Sequence, residues 1–119
     1  MPAYDIHMPD TALKIHKLYD VKAKYTILVF WDPTCSHCKT EIPKLSHYYD
    51  SVKVSKNIEL FSVGIESDIE LWKKFIRDNK LKWINVSDLY NNTNFRNYYD
   101  IYSTPVIYLL DKKKNIIVK

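Results

Sequence analysis

The most informative part of this 119-residue chain is Thr26-Ile-Leu-Val-Phe-Trp-Asp-Pro-Thr-Cys-Ser-His-Cys-Lys-Thr-Glu-Ile-Pro43. Its first six residues are apolar or β-branched throughout, which predicts a strand buried on both faces. Asp32, Pro33 and Thr34 then interrupt the strand. Cys35 and Cys38 follow, three residues apart, where the chain is expected to turn into a helix with Thr34 as its N-cap.

A strand, a short turn and a Cys-x-x-Cys that opens a helix form a typical setting for thiol–disulfide chemistry. The first turn of a helix offers unpaired backbone N–H groups and the positive end of the helix dipole, and both stabilise a thiolate. We therefore expect Cys35 to be the exposed sulfur that attacks a disulfide. Cys38, one turn deeper, is expected to resolve the mixed disulfide.

These residues resemble the thioredoxin-like proteins, and within them the extracytoplasmic thiol–disulfide oxidoreductases related to TlpA and ResA. The matching features are Phe30-Trp31, Cys35-x-x-Cys38, Glu41, Pro43, Thr104-Pro105 and the hairpin turn Asp111-Lys-Lys-Lys-Asn115. The resemblance implies a cis bond between Thr104 and Pro105 that faces the cysteines. It also implies that the Thr104 backbone pairs with an extended substrate.

The predicted fold class is α/β, a thioredoxin-like fold with a central mixed β-sheet flanked by helices, in a single domain spanning residues 1–119. Hydrophobic periodicity predicts strands at 25–31, 58–65, 105–110 and 116–118, and helices at 35–54 and 69–79. Asp68 is expected to cap the second helix, whose inner face would carry Leu71, Trp72, Phe75 and Ile76. Residues 3–10 are expected to be irregular and residues 12–15 to form a short edge strand.

A thioredoxin-like domain normally continues into a last helix, and this sequence stops after an apolar strand. We therefore expect an excised domain of a longer exported protein that lacks the final C-terminal helix. The first residues given lack the basic start and apolar core typical of a signal peptide, and no apolar run in the sequence is long enough to span a membrane. The resemblance implies that the longer parent works in the periplasm or cell envelope.

The net charge is +4 and the lysines are scattered, so the composition does not favour nucleic-acid binding. No cofactor is expected other than the redox-active Cys35–Cys38 disulfide. A zinc site is disfavoured because no second Cys-x-x-Cys accompanies the first. A metal would have to recruit histidines from elsewhere in the chain, namely His7, His16, His37 and His47.

Several other residues are candidates for the site, each with a simpler alternative. His37 would favour the Cys35 thiolate if its ring were partly cationic, or it is an exposed histidine of little influence. Glu41 would take the proton of Cys38, or it serves only the helix dipole. Trp31 would offer apolar surface to a substrate, or it is a core tryptophan. The substrate-binding residues are predicted to be Trp31, Pro33, Ser36, His37, Thr104 and Pro105.

The predicted function is thiol–disulfide exchange with protein substrates through the Cys-Ser-His-Cys sequence, in either the reducing or the oxidising direction. The expected partners are protein thiols and disulfides and an upstream thiol donor or acceptor, which the resemblance places in the membrane. The alternative is a thioredoxin-like binding module of a larger exported protein, with a non-catalytic cysteine pair. Peroxide reduction is a weaker third hypothesis, because Pro33-Thr34-Cys35 does not supply the Pro-x-x-x-Thr/Ser-x-x-Cys loop that it needs.

Overall fold

The fold is taken from a computed structural model that describes residues 1–66 and 68–119. Within these residues, seven strands and two α-helices follow one another, with 3-10 turns at Leu18–Asp20 and Phe95–Asn97. The strands are β1 (His7–Pro9), β2 (Ile15–Lys17), β3 (Tyr25–Trp31), β4 (Ile58–Gly64), β5 (Ile84–Ser87), β6 (Val106–Leu110) and β7 (Ile116–Val118). The helices are α1 (Ser36–Val52), between β3 and β4, and α2 (Ile69–Asp78), between β4 and β5.

Five of the strands form one mixed sheet in the order β5-β4-β3-β6-β7. The β3–β4 and β4–β5 pairs are parallel, and the β3–β6 and β6–β7 pairs are antiparallel. β3 lies in the middle of this sheet. The predicted thioredoxin-like α/β fold and its closing hairpin are confirmed.

The uninterrupted apolar run of β3 is explained by a core on each face of the sheet. Ile27, Val29 and Trp31 contribute to the core under α1 and α2. Leu28 and Phe30 point to the opposite core, as the two-residue period of a strand requires. That second core is covered by the N-terminal segment and by the residues around Phe95 and Tyr99.

The N-terminal segment is more ordered than the sequence predicts. Residues 3–10 are not irregular, because β1 pairs with β2 in a separate antiparallel hairpin, and β2 begins only at Ile15. The turn is organised by Asp10, whose Oδ1 accepts hydrogen bonds from the backbone N–H groups of Ala12 and Lys14. Its Oδ2 lies 2.8 Å from His16 Nε2.

The second helix begins where the sequence predicts, since the Asp68 carboxylate accepts from the N–H groups of Glu70 and Leu71. Its inner face is narrower than predicted. Trp72 is buried, whereas Leu71 is 42% exposed, so the assignment of Leu71 to the inner face is wrong. Leu71 lies about 100° around the helix from Trp72, which turns it away from the sheet.

The single glycine of the sequence, Gly64, ends β4 where the indole ring of Trp72 crosses it. A Cβ atom at this position would lie 2.5 Å from Trp72 Cδ1 and Nε1. Glycine is needed here for space, because the contact leaves no room for a side chain. In the described part of the chain, no helix is long and apolar enough to cross a membrane.

Candidate active site

The site is built on the turn that connects β3 to α1. The Asp32 carboxylate accepts hydrogen bonds from the backbone N–H of Thr34, at 2.8 Å, and from its hydroxyl, at 2.7 Å. The Asp32 carbonyl accepts from the N–H of Cys35 at 3.1 Å. These bonds stop the strand and place Cys35 at the N-cap of α1. The prediction that Thr34 is the N-cap is therefore wrong, since its hydroxyl is bonded to Asp32.

The two cysteines differ in exposure. Cys35 is half-buried at the start of the helix, and Cys38 is fully buried in its first turn, in the core shared with Trp31 and Ile42. Both are thiols in this structure. This arrangement of an outer and an inner sulfur is the one that the sequence predicts for an attacking and a resolving cysteine.

The segment before β6 faces the outer sulfur. The Thr104-Pro105 peptide bond is cis, as predicted. The Cys35 Sγ lies 3.4 Å from the Thr104 carbonyl oxygen, to which the thiol donates. β6 pairs directly with β3, so the sheet holds Thr104 beside the turn that carries Cys35.

The pKa of the Cys35 thiol is lowered below its ordinary value. The largest cause is a hydrogen bond from the Thr104 side chain, followed by one from the backbone N–H of Cys38. Desolvation acts in the opposite direction, and the Cys38 thiol and the backbone N–H of His37 lower the pKa further. Donors to sulfur favour the thiolate. The Thr104 carbonyl, an acceptor, favours the thiol, but the donors outnumber it and the pKa of Cys35 is lowered.

The pKa of the Cys38 thiol moves the other way, to about 11. Burial is the main cause, since it disfavours the charged form. The Thr104 side chain and the backbone of Asp32 lower it, but the neighbouring Cys35 raises it. At neutral pH the inner sulfur is therefore protonated, while the outer sulfur is the more easily ionised of the two.

The His37 imidazole is not directed at the sulfurs. Its side chain is 69% exposed, and its Nε2 lies 3.8 Å from the Glu41 carboxylate. Lys44 Nζ lies 3.8 Å from the same Glu41 oxygen. His37 lowers the pKa of Cys35 through its backbone N–H, and this geometry favours the simpler interpretation of its ring as a solvated side chain. The predicted proton-transfer role of Glu41 stays a prediction.

Comparison with known proteins places the whole chain in one family, because the AhpC/TSA family model matches residues 1–119. The chain is a member of the AhpC/TSA family. It is 32% identical over 98 residues to sporulation thiol-disulfide oxidoreductase A of Bacillus subtilis (strain 168). That match covers 80% of this chain and 58% of the Bacillus protein, so the chain spans less than two thirds of that relative's length.

Solved structures agree with this assignment. A domain of a possible thiol-disulfide isomerase from Cytophaga hutchinsonii superposes with a TM-score of 0.92 at 48% identity, over 99% of this chain and 80% of that one. The thioredoxin domain of a thiol-disulfide oxidoreductase from Bacteroides vulgatus superposes with a TM-score of 0.88 at 29% identity, over 99% and 84% of the two chains. The chain therefore has the thioredoxin-like fold of thiol–disulfide oxidoreductases, and the resemblance noted in the sequence is confirmed.

Two of the residues predicted to bind substrate are buried inside the protein. Trp31 is fully buried, and its Nε1 donates to Ser62 Oγ at 3.2 Å. Pro33 is also buried. Neither can offer surface to a substrate, so the assignment of both to substrate binding is wrong, and Trp31 is the core tryptophan of the alternative. Ser36 and His37 are exposed and Thr104 and Pro105 half-buried, which leaves these four accessible.

The sequence reasoning missed a pocket of about 380 Å³ beside Pro105. Its wall includes Tyr102, which is 93% exposed, and Ile107, an exposed isoleucine on β6. A signal was present in the alternation of β6, where Val106 and Tyr108 are buried and Ile107 must point to the opposite face. Exposed aromatic and aliphatic side chains beside Pro105, which follows the residue that contacts the Cys35 sulfur, are suited to contact with a polypeptide.

The described residues also bear on a metal site. Over residues 1–66 and 68–119, no group of three or more His, Cys, Asp and Glu side chains is placed to hold a metal ion. His7 is instead paired with Asp5, and His16 with Asp10, each at 2.8 Å. These pairs belong to the β1–β2 hairpin and its approach.

Proposed function

We propose that this protein is a thiol–disulfide oxidoreductase that exchanges disulfides with protein substrates through Cys35 and Cys38. The observation that carries the proposal is the placement of the two sulfurs, since Cys35 is half-buried at the N-cap of α1 and Cys38 is fully buried in its first turn. The pKa of Cys35 is lowered by donors from Thr104 and the helix backbone, whereas burial raises that of Cys38 to about 11. A thiolate is the nucleophile in disulfide exchange, so Cys35 is suited to attack a substrate disulfide, while Cys38 stays protonated until the second step.

In the reducing direction the Cys35 thiolate attacks one sulfur of a substrate disulfide. A Cys35–substrate bond forms, the substrate S–S bond breaks, and the second substrate sulfur leaves as a thiolate. Cys38 then loses its proton and attacks the Cys35 sulfur, which releases the first substrate sulfur as a thiolate. The substrate gains two electrons, and the protein is left with a Cys35–Cys38 disulfide.

The second step requires a base, because a thiol with a pKa of about 11 does not ionise at neutral pH. The thiolate that leaves the substrate can accept this proton. Glu41, one helical turn beyond Cys38, is the nearest acidic residue along α1 and remains our proposed proton acceptor. Its carboxylate would have to turn from His37 and Lys44 toward the inner sulfur.

The accessible residues around Cys35 support a polypeptide substrate. An extended chain would lie along the backbone of Thr104, with Ser36 and His37 on one side. Its side chains would contact Tyr102 and Ile107 in the pocket beside Pro105. Backbone pairing of this kind gives affinity that depends little on sequence.

The donor or acceptor that resets the Cys35–Cys38 pair is a second thiol protein. Because the chain resembles the TlpA and ResA group, we propose that this partner is in the membrane and that the domain works outside the cytoplasm, as part of a longer protein. A binding module with an inert cysteine pair is the competing function.

Redox equilibration with a series of glutathione ratios tests the proposal, with thiols trapped by alkylation and counted by mass. The reduced and oxidised forms should interconvert with a single two-electron midpoint, and Cys38→Ala should abolish the intramolecular disulfide. A midpoint near that of thioredoxin, about −270 mV, assigns a reductant, and one well above the glutathione poise assigns an oxidant or isomerase. A pair that forms no disulfide at any ratio would overturn the enzymatic proposal in favour of the binding module.

A further inference from the structure

A second pocket, of about 670 Å³, lies at the end of the sheet opposite the cysteines. Five lysines line it, together with Tyr19, Val21, Ala23 and Asn57; the lysines are Lys22, Lys24, Lys112, Lys113 and Lys114. We call it the lysine pocket.

The topology separates the lysine pocket from the redox site. Lys22 and Lys24 precede the first residue of β3, whereas Cys35 follows its last. β6 runs antiparallel to β3, so the turn between β6 and β7 comes back to the start of β3. β3 has seven residues, which puts the two sites roughly 20 Å apart.

Lys114 is the unusual residue of the lysine pocket. It is only 3% exposed, and its Nζ donates to the Val21 carbonyl oxygen at 2.7 Å. An ammonium group has three N–H donors, and a buried one is costly unless they are matched by acceptors. The bond to Val21 accounts for one of them, and an anion in the lysine pocket, which Lys114 lines, would supply further acceptors.

The backbone at Lys114 is also in a conformation that costs energy. Its φ is 68°, in the left-handed region that residues with a side chain adopt at a penalty. It places a lysine at a turn position where glycine or asparagine would avoid the penalty. A buried cation and an unfavourable backbone at the same residue together indicate a role beyond closing the hairpin.

The charges around the lysine pocket are one-sided. Asp111 attracts Lys114, but its carboxylate accepts hydrogen bonds from the backbone N–H groups of Lys113 and Asn115 and from the Asn115 side chain. Burial lowers the pKa of the Lys114 ammonium, and repulsion by Lys22 lowers it further. A bound anion would attract the ammonium and oppose the repulsion by Lys22.

We propose that the lysine pocket binds a phosphate-bearing anion. Five lysines line this one cavity, which suits an anion that carries more than one negative charge, and lysine binds phosphate as a point charge. The volume exceeds the need of a single phosphate group, and Val21, Ala23 and the Tyr19 ring supply apolar wall for the rest of the ligand. The site is independent of the cysteines and does not rest on the proposed redox function.

Titration of the folded protein with inorganic pyrophosphate at low ionic strength, followed by calorimetry, tests the proposal. The pocket variant is Lys22→Gln combined with Lys112→Gln, two exposed side chains whose replacement spares the core. The matched control is Lys80→Gln combined with Lys82→Gln, which removes the same charge at exposed positions outside the pocket. We expect saturable binding that weakens about tenfold or more in the pocket variant and less than about twofold in the control.

A third variant, Lys114→Met, addresses the buried ammonium and should lose binding at least as completely. Folding of this variant is checked by circular dichroism, and it is expected to persist because a buried charge is replaced by an apolar chain of similar length. Equal weakening in the pocket and control variants would reduce the effect to general charge and overturn the proposal.

A second experiment distinguishes a lipid headgroup from a soluble ligand as the source of the phosphate. The same variants are sedimented with vesicles containing phosphatidic acid. Vesicle binding that the pocket variant loses, with no response to pyrophosphate, assigns the phosphate to a lipid headgroup. Pyrophosphate binding without vesicle binding assigns a soluble ligand. Failure of both probes overturns the proposal, and because neither readout involves a thiol, that result leaves the proposed redox function unaffected.

Discussion

The Sγ atom of Cys35 lies 3.4 Å from the carbonyl oxygen of Thr104, a residue 69 positions further along the chain. The contact joins the first turn of α1 to the segment that enters β6, and the pairing of β6 with β3 maintains it. Thr104 acts on the sulfur through two groups, since its carbonyl accepts from the thiol and its side chain is the largest cause of the lowered pKa of Cys35. The balance between these groups influences how readily Cys35 ionises.

Thr104→Val should raise the pKa of Cys35 toward that of an ordinary cysteine. The substitution removes the hydroxyl, which is the largest cause of the lowered pKa, and leaves the carbonyl that stabilises the thiol. The measurement is the pH dependence of iodoacetamide alkylation of reduced protein, in a Cys38→Ala background so that a single thiol is followed. Thr104→Ser retains a hydroxyl and is the control. An unchanged midpoint in Thr104→Val would show that the backbone N–H groups alone set the pKa.

His37→Gln should leave the alkylation midpoint of Cys35 nearly where it is in the parent protein. The ring is exposed and lies beside Glu41, and the N–H group through which His37 acts on Cys35 belongs to the backbone, which the substitution retains. The comparison uses the same assay and low ionic strength, where any effect of a histidine charge would be greatest. A shift of the alkylation midpoint as large as that expected for Thr104→Val would mean that the His37 imidazole itself lowers the pKa of Cys35.

The sequence was sufficient for those parts of the fold whose signals are local. The apolar run of β3 and the cap at Asp68 depend on neighbours within a few residues, and both are where the sequence predicts them. The β1–β2 hairpin was missed because it is held by pairing and by the Asp10 side chain, neither of which produces a hydrophobic period. In the site, the spacing of the cysteines predicted their order of exposure.

Other features of the site depend on contacts between distant residues. The cis bond and the position of Thr104 could be expected only from family resemblance. The burial of Pro33 is set by packing that the flanking residues do not reveal. The interaction of His37 with Glu41 is an i,i+4 helical contact, and it could have been anticipated from spacing once the start of α1 was known.

The reduced protein should lose stability at alkaline pH because of Cys38. Burial raises the pKa of Cys38 in the folded state to about 11, whereas a cysteine in the unfolded chain has a pKa of about 8.5. The stabilising contribution is thus complete below about pH 8.5 and is lost as pH rises toward about 11, since only the unfolded chain releases the proton in that interval. Urea unfolding at pH 7 and pH 10 measures it. Cys38→Ala should show a smaller loss between the two pH values, and an equal loss would assign the effect to other groups, such as the buried Tyr49 and Tyr99.

Gly64→Ala should destabilise the protein by about 1–3 kcal/mol, through overpacking alone. The added Cβ would lie 2.5 Å from the Trp72 indole, and Gly64 does not have a positive φ, so no backbone penalty is added. Urea denaturation of Gly64→Ala, Trp72→Leu and the double variant gives the coupling. The double variant should be more stable than the sum of the single changes predicts, and strict additivity would mean that Trp72 is not the obstacle.

Asn85 should be among the most sensitive polar positions, because one side chain makes four hydrogen bonds to buried groups. Its Oδ1 accepts from Ser62 Oγ and from Trp83 Nε1, each at 2.8 Å, and its Nδ2 donates to the carbonyls of Leu81 and Trp83. Ser62 in turn accepts from Trp31. Asn85→Ala leaves the Trp83 indole without its acceptor, and we expect a loss of about 2–4 kcal/mol in unfolding free energy.

Ser62→Ala tests the other end of this network and should cost less, about 1–3 kcal/mol, because the principal loss is the partner of the Trp31 indole. Asn92→Ala, at an exposed position, is the control and should change the unfolding free energy little. The network of Ser62, Asn85 and Trp83 contacts β3 through Trp31. Its hydrogen bonds join side chains in the core, and none of them involves the Cys35 sulfur. Ser62→Ala should therefore shift the urea midpoint while the alkylation midpoint of Cys35 stays constant, and a concerted shift of both would mean that Trp31 positions the Asp32 turn.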